Sequence, residues 1–122
     1  MNIAIIGGSG FIGRHTTLEL IKHGHTVTIV DIERPKGLSR KDIEYTYYYC
    51  NALDLNQLKS ALDRNIDAVY MFAAVSDSKE NLTDIQYAVN TNIMCLTNTL
   101  SVMNELKIPR IIFSSTVWVY SI

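Results

Sequence analysis

Three glycines near the start of the chain have a spacing that suits phosphate binding. Gly7, Gly10 and Gly13 form the pattern G-x-x-G-x-x-G between a short apolar run and a stretch with helical periodicity. Glycine adopts the φ angles of a tight strand-to-helix turn at little cost, and a position without a Cβ lets a pyrophosphate approach the backbone. The following helix would offer unpaired N–H groups to the phosphates. The pattern predicts a dinucleotide site; the alternative is a glycine-rich turn that binds nothing.

An aspartate follows the glycine pattern at a distance that is typical of dinucleotide sites. Asp31 lies 18 residues after Gly13, at the end of the second apolar run. An acidic side chain there accepts hydrogen bonds from the adenosine ribose hydroxyls and repels the 2′-phosphate of NADP. We therefore expect NAD, with NADP less favoured, although Arg34 and Arg40 follow closely and could pair with a 2′-phosphate. The alternative is an ordinary solvated aspartate at a strand end.

Length and composition narrow the possible classes of protein. A chain of 122 residues has room for one domain, and a net charge of −1 gives no field that attracts nucleic acid. No apolar run is long enough to cross a bilayer, and no basic segment leads into a signal sequence, so we expect a soluble, cytoplasmic protein without membrane contact. Cys50 and Cys95 have no metal-ligand spacing and are expected to be buried free thiols.

Strands and helices alternate along the chain. The predicted strands are 3–6, 25–30, 44–50, 67–74 and 110–116. The predicted helices are 11–23, a helix capped by Asp54, and 83–106. This alternation predicts an α/β fold in three layers, with a doubly wound, Rossmann-like parallel sheet in the strand order 3-2-1-4-5. The carboxyl ends of the strands, at Asp31 and at Ala73 and Ala74, would then border the ligand crevice.

Helical spacing also predicts which side chains face the core. The predicted inner faces are Ile12, Leu18 and Ile21 flanked by Phe11 and Leu20 in the first helix, Leu55, Leu58 and Leu62 in the second, and Ile85, Val89, Ile93, Leu96, Leu100 and Met103 in the third.

The segment from Gly7 to His15 resembles the opening of the extended short-chain dehydrogenase/reductase family, which includes nucleotide-sugar epimerases and dehydratases. Asn51 stands where the family has the first acid of an Asp-x-x-Asp stretch; its amide oxygen can still accept a bond from the adenine amino group, without charge assistance. Asn92 matches a family asparagine that helps to order the active-site floor, although a merely solvated asparagine is equally compatible. The resemblance implies these cofactor-binding residues: Gly7, Gly10, Phe11, Ile12, Gly13, Asp31, Asn51, Ala52, Ala73, Ala74 and Asn92.

The carboxyl-terminal segment from Ser114 to Tyr120 is similar to the family's Ser-Ser-x-x-x-Val-Tyr stretch. The similarity implies that the Thr116 hydroxyl is catalytic, hydrogen-bonding the substrate oxygen at which hydride is gained or lost; an ordinary strand-end threonine is the alternative. The family's Tyr-x-x-x-Lys pair does not occur, because none of the seven tyrosines is followed four residues later by lysine.

We therefore expect residues 1–122 to form a dinucleotide-binding domain that is truncated after its fifth strand. The substrate domain would be absent, so hydride transfer through NAD and binding of a sugar nucleotide would belong to a complete enzyme. The alternative is a stand-alone dinucleotide-binding or protein-interaction module without catalysis. The third helix would leave apolar surface uncovered, and such patches favour association, so we also expect a homo-oligomer.

Overall fold

The computed structural model describes residues 1–39, 43–75, 84–115 and 120. Strands and helices alternate as predicted, except that the second and third strands follow one another with no helix between them in the described residues. The second strand has the predicted length but lies one residue later, and the third, fourth and fifth strands are shorter than predicted at both ends. In chain order the elements are β1 (Asn2–Ile6), α1 (Phe11–Lys22), β2 (Thr26–Asp31), β3 (Thr46–Tyr49), α2 (Leu55–Ala61), β4 (Ala68–Met71), α3 (Ile85–Val89), a π-helical turn (Asn90–Met94), α4 (Cys95–Leu106) and β5 (Ile111–Phe113).

The five strands form one sheet in the order β3-β2-β1-β4-β5, and all neighbouring pairs are parallel. The predicted strand order is therefore confirmed. Ile5 of β1 lies at the centre, paired with Ile29 on one side and Tyr70 on the other. Strands β2 and β3 are added on one side of β1, whereas β4 and β5 are added on the other side. The carboxyl ends of β1 and β4 therefore flank a topological switch point, which is where open α/β sheets bind ligands.

Alternating side chains of β1 face two separate apolar clusters. Ile3 and Ile5 pack with Val27 and Ile29 on the face that is covered by α1. Ala4 and Ile6 belong to the second cluster, on the opposite face, with residues of α2 and α4 such as Leu58 and Val102. Both clusters are buried, which explains why the strand is a continuous apolar run rather than an alternating one.

The inner face predicted for α1 is wrong in part. Leu20 and Ile21 pack against the sheet cluster, but Phe11, Ile12 and Leu18 are exposed. The residues buried against the sheet are instead Gly13 and Thr17. A Cβ on Gly13 would lie 2.6 Å from the Cα of Gly8, so the helix packs too closely on the turn for a larger side chain. In α2, Leu58 and Leu62 are buried as predicted, whereas Leu55 is exposed.

Residues 85–106 form one long helix that contains the π-helical turn. The prediction places its start at Thr83, which lies outside the described residues. Asp84 caps the described helix, because its Oδ1 accepts a hydrogen bond from the Tyr87 N–H at 2.8 Å. The face that helical spacing predicts for this helix is confirmed for Met103, which is buried, and for Leu96, which packs against the core, but is wrong for the other four residues. The buried positions are Ala88, Cys95, Thr99, Val102 and Met103, whereas Ile85, Val89, Ile93 and Leu100 are exposed.

Glycine and proline act at the helix ends as expected. Gly24 follows α1 with a φ of +79°, the left-handed conformation that the sequence predicts there. The long helix ends at Leu106, because Lys107 adopts a φ of 61° and Pro109 follows. No helix within the described ranges is both long and apolar enough to cross a membrane.

Candidate functional site

The glycine turn between β1 and α1 is tightly packed on its inner side. Gly7 has a φ of +82°, and a Cβ added there would lie 2.7 Å from the carbonyl carbon of Phe72. The Gly7 N–H donates to the Val30 carbonyl at 2.9 Å, while Ala73 donates to the carbonyl of Ile6 at 3.0 Å. Both neighbouring strands therefore hold the turn in place. These contacts require glycine at position 7 for backbone reasons alone.

The outer side of the same turn is open. A Cβ on Gly10 would meet only the Gly7 carbonyl oxygen, at 3.4 Å, which is ordinary contact. Gly10 is the extended N-cap residue of α1, and no side chain caps the helix. The first intrahelical bond described runs from Arg14 N–H to the Gly10 carbonyl at 3.0 Å, so the N–H groups of Phe11, Ile12 and Gly13 precede the helical ladder. This uncapped amino terminus is suited to an anion.

Asp31 is fixed beside the turn by two backbone donors. Its Oδ2 accepts from the Ser9 N–H at 2.9 Å, and its Oδ1 accepts from the Glu33 N–H at 3.1 Å. The Ser9 hydroxyl also donates to the Glu33 carbonyl at 2.6 Å. The carboxylate therefore has a defined orientation at the end of β2, with lone pairs left to accept bonds from a ligand.

Two adjoining clefts run along the carboxyl edge of the sheet and form what we call the groove. One cleft extends from Gly7 towards Asn51 and Ala52, and the other towards Gly10 and Ala74. The residues that line both clefts, and so mark their junction, are Gly7, Asp31, Ile32, Ala73, Tyr87 and Thr91. A long ligand would therefore cross the groove beside the glycine turn.

Asn51 and Ala52 form the far end of the first cleft. The Asn51 Oδ1 accepts a hydrogen bond from the Leu53 N–H at 3.0 Å, and its own N–H donates to Gln57 Oε1 at 2.8 Å. The side chain of Asn98 in α4 donates to the carbonyls of Ala52 and Leu53, both at 3.1 Å. This turn is therefore held rigidly against the long helix, with the Asn51 amide exposed at the cleft.

Asn92 has a different position from the other predicted residues. It does not line either cleft. Its Oδ1 accepts from the Val75 N–H at 2.7 Å, and its Nδ2 donates to the Val75 carbonyl at 3.1 Å. The amide therefore ties the segment after β4 to the π-helical turn, and both of its polar atoms are engaged in doing so.

The structure brings most of the predicted residues together at one edge of the sheet. Seven of them line the groove: Gly7, Gly10, Asp31, Asn51, Ala52, Ala73 and Ala74. Phe11, Ile12 and Gly13 belong to the first turn of α1 beside it. Thr116, the predicted catalytic residue, lies outside the described residues, as does Arg40.

The two cysteines also line the groove, on the wall towards Asn51. Both are buried free thiols, as the sequence predicts. Burial raises the pKa of the Cys50 thiol to about 11, helped by the negative charge of Asp54, and burial likewise raises the pKa of Cys95. Both thiols are therefore protonated near neutral pH and are poor nucleophiles.

Sequence reasoning missed several residues that form the groove. Ile32 and Leu53 follow predicted residues directly, so their proximity to the site could have been anticipated. Tyr87 and Thr91 could not, because only the packing of the long helix across the edge of the sheet brings them to the groove. Their spacing of four residues, which puts both on one side of a helix, was the one available signal.

Comparison with known proteins gives the same picture. A model of the NAD dependent epimerase/dehydratase family matches residues 3–121. The UDP-glucose 4-epimerase of Lactobacillus helveticus is 30% identical over 123 residues, covering 100% of this chain and 37% of that protein. The UDP-N-acetyl-alpha-D-glucosaminuronate decarboxylase of Bacillus cytotoxicus is 35% identical over 120 residues, covering 95% of this chain and 36% of that protein.

Solved structures match along the same stretch. The UDP-glucose 4-epimerase from Bifidobacterium longum, in complex with NAD+ and UDP, has a TM-score of 0.89 and 27% identity. That match covers 99% of this chain and 38% of the solved chain. This chain therefore spans somewhat more than a third of the length of the relatives that it matches.

Proposed function

Because the chain belongs to the NAD dependent epimerase/dehydratase family, we propose that the groove binds NAD and that residues 1–122 are the cofactor-binding part of a nucleotide-sugar epimerase or dehydratase. The observation that supports this most directly is the open outer side of the glycine turn, with the oriented carboxylate of Asp31 beside it. When bound, NAD supplies reversible acceptance of hydride.

The residues of the groove suit the two ends and the middle of a dinucleotide. The backbone at Gly10 and the uncapped start of α1 would receive the pyrophosphate, because a Cβ at Gly10 would meet only the Gly7 carbonyl oxygen and no side chain caps the helix. Asp31 would accept hydrogen bonds from the adenosine ribose. Asn51 and Ala52 would border the adenine, and Ala73 and Ala74 would let the second half of the ligand lie close to the backbone.

The charges around Asp31 favour NAD over NADP. Asp31 lines the second cleft, and its carboxylate would repel a 2′-phosphate beside the ribose, whereas the Glu33 carboxylate is paired with Lys36 at 3.9 Å. Arg34, a candidate partner for that phosphate, instead has its guanidinium 5.2 Å from the centre of the Tyr47 ring. Pairing with a phosphate would require Arg34 to give up this contact. We therefore expect NADP to bind at least about tenfold more weakly than NAD.

Isothermal titration of the chain with NAD, NADH and NADP tests the proposal. Saturable binding of NAD, with weaker binding of NADP, is the expected result. An Asp31→Ala variant should lose most of its NAD affinity, whereas Asp63→Ala, at an exposed aspartate remote from the groove, should not. If NAD at millimolar concentration gave no heat and no rise in melting temperature, the chain would share the fold of its relatives without their cofactor.

We also propose a reaction class for the enzyme of which residues 1–122 would be the cofactor-binding part. Several relatives are named as UDP-glucose 4-epimerases, and we infer a nucleotide sugar as substrate, with the Thr116 hydroxyl contacting the oxygen that exchanges hydride. The sequence contains no Tyr-x-x-x-Lys pair to supply a base. We therefore expect this chain to bind NAD without converting UDP-glucose, and an epimerase assay with added NAD would refute this by showing turnover.

We also propose that the chain associates with itself through the long helix. Ile85, Val89, Ile93 and Leu100 are all exposed, and their spacing of four or seven residues aligns them along one side of the helix. Burying such a stripe against a second copy would remove apolar surface from water. Light scattering at high protein concentration should show an oligomer that Ile93→Glu weakens; a monomer at every concentration would refute this.

A further inference from the structure

An arginine of α1 holds the segment that follows β2. Arg14 comes directly after Gly13, and its Nη1 donates a hydrogen bond to the Lys36 carbonyl at 2.6 Å. The next residue, Gly37, has a φ of +78°, and a Cβ added there would lie 3.5 Å from the same Nη1. The guanidinium therefore lies against the backbone at residues 36 and 37 and ties this segment to the helix.

Stability alone explains this arginine poorly. Arg14 is half-buried, and its Nε is shielded from water without a hydrogen-bond partner among the described residues. A buried donor that lacks a partner costs free energy. An unbranched apolar side chain such as methionine would cover much of the same surface without that cost. The arginine is better explained by the carbonyl that its Nη1 holds in place.

The tied segment carries two cations, each of which has a partner of its own. The Arg34 guanidinium lies 5.2 Å from the centre of the Tyr47 ring, and the Lys36 Nζ lies 3.9 Å from a carboxylate oxygen of Glu33. The Ser9 hydroxyl holds the beginning of the segment by donating to the Glu33 carbonyl at 2.6 Å. The backbone is therefore fixed at both ends of the segment, with both cations engaged locally.

Resting on the proposed NAD site, we propose that Arg14 is a positioning residue for the choice of cofactor. By holding the Lys36 carbonyl on α1, it keeps the cations of the segment from the 2′-phosphate that NADP would place beside Asp31. Arg34 and Lys36 follow Asp31 by three and five residues, which span about 10 and 17 Å when extended. A released segment could therefore bring either cation to that phosphate, and pairing would offset the repulsion by the Asp31 carboxylate.

Isothermal titration of the full chain with NAD and NADP tests this on three variants. Arg14→Met removes the guanidinium and keeps a helix-favouring side chain, and Arg14→Lys restores a donor. Arg64→Met is the control, at an exposed arginine in the turn before β4, at the opposite edge of the sheet from the groove. We expect Arg14→Met to shift the preference about fivefold towards NADP. Arg14→Lys should restore most of the preference for NAD, and Arg64→Met should leave it unchanged.

The direction of the shift separates this role from a simple effect of charge. NADP is the more anionic ligand, so the loss of a positive charge at Arg14 would by itself weaken NADP more than NAD. Adding Arg34→Ala and Lys36→Ala to Arg14→Met should abolish the gain in NADP affinity, because the cations that the segment supplies are then absent.

Cleavage by trypsin measures the tie without any ligand. The bond between Lys36 and Gly37 is a tryptic site, and its carbonyl is the one that Arg14 holds. Because proteolysis follows the population of the open segment, Arg14→Met should be cut there about fivefold faster than the parent chain. Mass spectrometry of the fragments identifies this bond. Arg14→Lys and Arg64→Met should be cut at nearly the parent rate. If Arg14→Met does not fold, Arg14→Leu provides the same comparisons.

The possible outcomes are distinct. If the parent chain binds NAD and Arg14→Met keeps the parent's preference, the inference is wrong although the proposed function stands. If Arg14→Met weakens NADP more than NAD, Arg14 does not withhold the cations, and the inference is again wrong. If the parent chain binds neither dinucleotide, the proposed function fails and the inference fails with it, whatever the rate of cleavage after Lys36.

Discussion

The variant Gly10→Ala should lose affinity for NAD while keeping nearly all of its folding stability. The cost to the fold is small, because the added Cβ would touch only the Gly7 carbonyl oxygen, at 3.4 Å, and Gly10 has ordinary extended angles, φ −67° and ψ 175°. Alanine is a poorer N-cap than glycine, at about 0.5 kcal/mol, but it also lowers the entropy of the unfolded chain by a similar amount. We therefore expect the free energy of unfolding to change by less than about 1 kcal/mol.

NAD binding should nevertheless fall steeply in this variant. The methyl group projects from the outer side of the turn, where the phosphates would approach the backbone, and displacing them would cost about 2 kcal/mol or more, a factor of about 30. Gly13→Ala is the contrasting variant, because its Cβ would lie 2.6 Å from the Cα of Gly8 and 2.8 Å from its carbonyl carbon. It should lose about 1–3 kcal/mol of stability through overpacking.

Gly24→Ala is the control, since its Cβ meets nothing within 4 Å and only its φ of +79° is strained. It should lower stability by about 1 kcal/mol and leave NAD affinity unchanged. Thermal unfolding and isothermal titration on all three variants give the comparison. Undiminished NAD binding by Gly10→Ala would refute the placement of the phosphates on the glycine turn, whatever its effect on melting.

Three further outcomes are expected. The free energy of unfolding should fall by about 2 kcal/mol between pH 9 and 11, because the pKa of the Cys50 thiol is about 9.0 in the unfolded chain and about 11 in the folded chain. Cys50→Ala should make this decline shallower, and an unchanged slope would refute the cause. Iodoacetamide at pH 8 should label Cys50 and Cys95 slowly, and saturating NAD should slow the labelling further, because both thiols line the groove. The labelling rates can be measured by mass spectrometry. Equal rates with and without NAD would show that the ligand binds elsewhere. Asn92→Ala should lower the free energy of unfolding, measured by chemical denaturation, by about 1–3 kcal/mol. The variant removes both side-chain hydrogen bonds to Val75 and leaves the Val75 N–H and carbonyl unpaired. A loss below about 0.5 kcal/mol would show that water replaces the Asn92 side-chain amide.

The sequence by itself determined the strand order and the main polar groups of the groove. Strands that mostly alternate with helices leave few topologies for a parallel sheet, and the general preference for right-handed crossovers favours the observed strand order. Gly7, Gly10 and Asp31 were identifiable because each answers a local requirement: a turn, an open backbone, and an acidic side chain at a strand end. Such requirements are visible in a few consecutive residues.

Only the tertiary structure decided which face of α1 and of the long helix is buried. Spacing identified an apolar side on the long helix, but the side that packs carries smaller residues such as Ala88 and Thr99, because the helix lies close to the sheet. The same packing engages Asn92 with Val75 and brings Thr91 to the junction of the two clefts. Helical periodicity records which side chains share a face, whereas the approach of one element to another depends on residues far apart in the chain.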